Sequence, residues 1–162
     1  METVNETARA LLVAAALTGL GLAVFVQRLL RIDPAEPARL IGELRFAHWM
    51  SAALAALGGA WLGLAAARSS QLLSGIDLTI AVALIVMGAW TLQRETRQAL
   101  SILCVAFLMH ALIDIAHRPG WLAVDLAPRW FTLGCAAFNL LLSALCFSVL
   151  RRPERARGRS SR

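Results

Sequence analysis

The run Phe46-Ala-His48-Trp49-Met-Ser51-Ala-Ala-Leu-Ala55-Ala-Leu-Gly-Gly59-Ala-Trp61-Leu-Gly63-Leu-Ala-Ala-Ala67 decides the fold class. It holds no Asp, Glu, Lys or Arg across 22 residues. Wound as a helix it spans about 33 Å, enough to cross a hydrocarbon core of about 30 Å. Within it Ser51, Ala55, Gly59, Gly63 and Ala67 recur every fourth residue, and Gly59 and Gly63 form a GxxxG pair. One side of the helix is therefore almost bare of side chains, which lets a neighbouring backbone come close. The pattern predicts a close-packing seam with this helix at the centre of a bundle.

The rest of the chain carries the same signature. Its 162 residues are 59% hydrophobic and 16% charged, with a mean hydropathy of +0.66. Those values lie beyond the soluble norm and place the chain in the membrane class. Four further apolar runs read as spans: Ala10 to Val26, Ile76 to Leu92, Ala99 to Ala116 and Trp130 to Leu150. The expected fold is an all-α integral membrane bundle of five helices, forming one domain over residues 1–150. A basic, disordered cytoplasmic tail follows over 151–162. The runs from Ile76 and Ala99 are each about 17–18 residues, the lower limit for a crossing. A re-entrant pair there, giving fewer crossings, is the alternative. The acidic start (Glu2, Glu6) lacks the basic region of a secretory signal, so the first run reads as a retained helix.

All 16 basic residues are Arg, and the formal charge is +6. With five crossings and the amino terminus outside, Arg28, Arg31, Arg39, Arg45, Arg94, Arg97 and six tail arginines fall inside. Arg9, Arg68, Arg118 and Arg129 fall outside. Twelve against four satisfies the positive-inside rule. The expected location is a bacterial inner membrane, with the carboxyl terminus cytoplasmic and anionic lipid against the Arg-rich inner face. Nucleic-acid binding is not expected, because the basic residues track topology. Asp33-Pro34-Ala35-Glu36 reads as a helix start, with Asp33 as cap, Pro34 at the first position and a short interfacial helix over Pro37 to Leu44.

Ionisable residues inside such runs are costly and therefore mark candidate sites. His110, Asp114 and His117 stand at i, i+4 and i+7, within about 40° of one another on a helix. Depth counting brings Asp77 and Asn139 toward the same outward-opening region. Imidazole with carboxylate suits a divalent transition metal, and the same set can pass protons. The competing reading is that His110 and Asp114 bond to each other or to Asn139 and glue the bundle. Asn139 and Ser143, one turn apart, read as interhelical hydrogen-bonding groups. His48 beside Trp49 reads as interfacial; it lies too far in depth from His110 for a bis-His haem, which leaves a porphyrin on a single His as the alternative. Cys104, Cys135 and Cys146 form no CxxC pair and read as small apolar groups. No nucleophile–base pair, phosphate-cradling loop or HExxH occurs, so nothing in the residues demands an enzyme.

The placement of Arg45 before the second span, and of His110 to His117 before the last, resembles small bacterial polytopic membrane proteins of the DoxX-like kind. The resemblance implies a helical membrane bundle and carries no activity; the fifth apolar run departs from a four-span plan. The function expected from the residues is a non-catalytic accessory or scaffold acting through helix packing, with a membrane-protein partner or its own copies. The alternatives are a metal, porphyrin or proton site on His110, Asp114 and His117, and a small transporter or lipid-handling enzyme.

Overall fold

A computed structural model describes residues 2–67, 74–116 and 129–151. Five helices make up the fold: α1 (Glu2–Arg31), α2 (Pro37–Ala67), α3 (Ser74–Thr91), α4 (Thr96–Ala116) and α5 (Arg129–Leu150). There is no strand among the described residues. By length and composition α1, α2, α4 and α5 can each cross a bilayer, and α3 contributes a shorter apolar helix, Ile76–Thr91. Arg68, His117, Arg118, Trp121, Asp125 and the tail beyond Arg151 lie outside the described residues.

Helix α2 runs antiparallel along α3, and α4 antiparallel along α5, while α2 meets α4 and α1 rests on α5. Phe46, Met50 and Leu54 of α2, Leu100, Leu103 and Phe107 of α4, and Leu142 and Cys146 of α5 form the main core. Large apolar side chains cover the outside, among them Leu12, Leu17 and Leu20 of α1 and Val86, Val105 and Leu112 of α3 and α4. A surface of that kind suits lipid rather than water. Trp90 and Trp130 stand near helix ends at 42% and 36% exposure, where amphipathic rings anchor at a bilayer boundary; Trp49, at 49% exposure, lies where the apolar run of α2 begins.

The connection between α1 and α2 differs from the sequence reading. Asp33 does not cap a helix; its Oδ1 accepts the Ala35 N–H at 2.8 Å, and Glu36 N–H donates to Asp33 O at 3.0 Å. Those bonds make a turn, and Pro37 takes the first helical position instead of Pro34. No separate interfacial helix forms over Pro37 to Leu44, because nothing there breaks α2 before its apolar run. Arg39 closes this corner. Its guanidinium donates to Leu29 O at the carbonyl end of α1 and, through Nε, to Glu43 Oε1 at 2.6 Å. A cation there answers both the orphan carbonyls and the negative end of the helix dipole. Arg97 repeats the device at the carbonyl end of α5, donating to Leu150 O at 3.2 Å.

The small-residue stripe divides in two. Ser51 is buried and Ala55 half-buried against α3, but Gly59 and Gly63 are exposed, and a methyl group at either would meet nothing within 4 Å. Ala67 ends α2. The inward partner one position earlier is Gly58, where an added Cβ would stand 2.6 Å from Ala81 O. Across the seam a Cβ added at Gly88 would be equally tight, 2.7 Å from Ser51 O. The α2–α3 contact is thus backbone against backbone. One hydroxyl pair sits in it, Ser51 Oγ to Thr91 Oγ1 at 2.8 Å, with Ala47 O and Gly88 O as neighbouring acceptors.

A buried polar site between two apolar clefts

His110 and Asp114 are one turn apart on α4, and both are buried, at 0% and 1% exposure. Helical spacing stacks them on one stripe. His110 Nε2 lies 3.6 Å from Asp114 Oδ1, within ion-pair range when the imidazole carries its second proton. Asn139 of α5, also buried, donates from Nδ2 to Asp114 Oδ2 at 3.1 Å. From α2, the buried Trp61 sets its ring at 86° to the imidazole, with the two ring centres 5.5 Å apart. Three helices thus bring an imidazole, a carboxylate, an amide and an indole together in an apolar interior.

Two clefts reach this cluster, one at His110 and one at Asn139. The first, of about 550 Å³, runs between α3 and α4; His110 lines it among Ile80, Leu84, Val105, Met109 and Ile113. The second, of about 170 Å³, lies between α1 and α5 and is lined by Leu11, Leu12, Trp130, Cys135, Phe138 and Asn139. Both walls are almost wholly apolar, so each cleft suits hydrocarbon better than water.

The predicted site residues are distributed as follows. His110, Asp114 and Asn139 come together. Asp77 is buried in the first turn of α3, while His117 lies outside the described residues. Among the described residues no three His, Cys, Asp or Glu side chains are placed to hold a metal ion. Ser143 is one turn inward of Asn139 and donates from Oγ to Cys104 O at 2.8 Å; the Cys104 thiol lies 3.4 Å from the same hydroxyl. His48 is exposed beside Trp49, whose ring packs on Phe25 with centres 4.9 Å apart. Sequence reasoning missed Trp61 as a wall of the site. Its burial followed from the inward face of α2, and that face is one position away from the stripe the four-residue repeat suggested.

Chemically, the cluster can hold one proton between an imidazole and a carboxylate inside the bundle, oriented by the Asn139 amide. It can also act purely as interhelical hydrogen bonding, which in membranes is worth about 0.6 kcal/mol on average for one contact. Comparison with family models, with curated proteins and with solved structures found no match to this chain.

Proposed function

We propose that this chain is a multi-pass protein of a bacterial inner membrane and acts as a non-catalytic accessory or scaffold, through helix packing with a membrane partner or with its own copies. The observation that carries this reading is the outward face of α2. Ala52, Ala56, Gly59, Ala60 and Gly63 are all exposed there, on successive turns, so bare backbone is offered to another helix. The polar groups that would otherwise suggest chemistry are turned inward and engage one another. Five crossings, an outside amino terminus and a cytoplasmic carboxyl terminus follow from the arginine distribution, twelve inside against four outside. The DoxX-like resemblance supports the helical membrane-bundle class alone, since the fifth apolar run departs from its four-span plan.

Gly59→Leu with Gly63→Leu tests the reading directly. A Cβ at either position meets nothing within 4 Å among the described residues, so the thermal midpoint of the purified protein should hold while crosslinked assemblies in native membranes are lost. Assemblies that survive both changes would sink the proposal.

A second reading rests on the His110–Asp114 pair, a site for a proton, a divalent transition metal or a porphyrin, with His117 as a third ligand. Metal analysis and an absorption spectrum of detergent-purified protein, beside a His110→Ala/Asp114→Ala variant, separate the two. Stoichiometric metal or a visible band lost in the variant favours the site; a colourless, metal-free protein favours the scaffold.

A further inference from the structure

The α3/α4 cleft runs toward a helix connection that carries a stacked cation. Its floor and walls are Ala83, Leu84 and Met87 on one helix and Ile102, Val105 and Met109 on the other. Val105 and Met109 are 58% and 51% exposed, so the cleft opens sideways toward the surroundings of the bundle. Trp90 follows Met87 by three residues and Ala83 by seven, which puts it on the same stripe of α3. The Arg94 guanidinium then stacks on Trp90, with its central carbon 4.2 Å from the ring centre. A stacked guanidinium uses its face for the ring and keeps its N–H edge for an anion. The turn as a whole carries Arg94 and Arg97 against Glu95. Arg97 is directed to Leu150 O on α5, so Arg94 is the cation that belongs to this cleft.

We propose that the α3/α4 cleft seats an acyl chain of an anionic phospholipid whose phosphate is held by Arg94. The apolar walls match hydrocarbon, the lateral opening faces the bilayer, and the Trp90–Arg94 stack follows one turn beyond Met87 of the cleft wall, as in a lipid whose charge and chains are separated along its length. This rests on the membrane reading proposed above and specifies one lipid position on the bundle.

The test uses the full chain in detergent, titrated with phosphatidylglycerol or phosphatidylcholine and read by native mass spectrometry. Phosphatidylglycerol should be retained preferentially. Arg94→Ala should weaken its retention roughly fivefold, the scale of one cation near a lipid surface, and leave phosphatidylcholine unchanged. Val105→Trp fills the cleft from a position already half exposed and should displace both lipids, while Arg97→Ala should leave retention as it was. Equal retention of the two lipids, or equal losses from Arg94→Ala and Arg97→Ala, would overturn the proposal. Competition by inorganic phosphate alone would also overturn it, because the site would then be an anion site without a lipid chain. Flotation with liposomes separates the two levels of failure: a protein that does not float refutes the membrane reading, and one that floats without lipid preference refutes only the cleft.

Discussion

The two antiparallel pairs are joined by different means. Between α2 and α3 the glycines Gly58 and Gly88 bring backbone onto backbone, and a Ser51–Thr91 hydroxyl pair adds a polar contact. Between α4 and α5 polar groups meet at three levels, Asp114 with Asn139, Cys104 with Ser143, and Arg97 with Leu150 O. In lipid there is no hydrophobic gain from joining two apolar helices, so association depends on close packing or on hydrogen bonds. One pair relies mainly on the first and the other makes more use of the second. The difference also fixes what each pair tolerates. Close backbone contact fails when volume is added, and polar contact fails when a partner is removed.

Four substitutions probe this contrast, each followed by denaturant-induced unfolding of the protein in mixed micelles. The largest effect is expected from Gly88→Leu. Its new Cβ would meet Ser51 O and Ala55 of α2, and overpacking of that kind costs about 3 kcal/mol. If Gly88→Leu is tolerated, the α2–α3 seam is looser than its geometry indicates. Asn139→Leu comes next. It adds no comparable clash and removes the donor to Asp114, so a loss of about 1–2 kcal/mol is expected. A loss as large as that of Gly88→Leu would erase the contrast between the two pairs. Ser143→Ala should cost about 0.6 kcal/mol, as one membrane hydrogen bond does on average. Gly59→Leu should move stability by less than about 0.5 kcal/mol, since the side chain enters open space. It serves as the control for Gly88→Leu, being the same change on the outward side.

The spans were readable from the sequence because charge and hydropathy bound them. The predicted run Trp130 to Leu150 became Arg129–Leu150, and Ile76 to Leu92 became Ser74–Thr91. The other three helices begin earlier than their apolar runs, since residues such as Arg97 and Gln98 have helix propensities close to that of leucine and hydropathy alone does not mark where a helix starts. The meeting of His110 and Asp114 was readable because helical spacing alone decides it. Asn139 followed from depth counting along two antiparallel helices. Which of the two small stripes of α2 faces inward was not readable. Gly58 and Gly59 are adjacent and equally small, and the Ala/Gly-rich faces on both sides of the helix differ little in hydropathy. Only the position of α3 separates Gly58, which is covered, from Gly59, which is open. Trp61 as a neighbour of His110 was hidden for the same reason.

The Arg39 contact has a mechanical consequence. It fastens α1 at its carbonyl end, through Leu29 O, while the far end of α1 walls the cleft that reaches Asn139 through Leu11, Leu12 and Ala15. Leu12 lies about 25 Å along the helix from that fastening at 1.5 Å per residue. The Arg39 contact thus sets one end of a helix that also packs along α5, where a Cβ added at Gly19 would stand 2.8 Å from Leu141. A tilt of about 10° at that end swings Leu12 by about 4 Å, on the order of a methyl group's width. A change in how α1 is seated at the Arg39–Glu43 corner would therefore be felt more at the cleft wall beside Asn139 than at the corner itself.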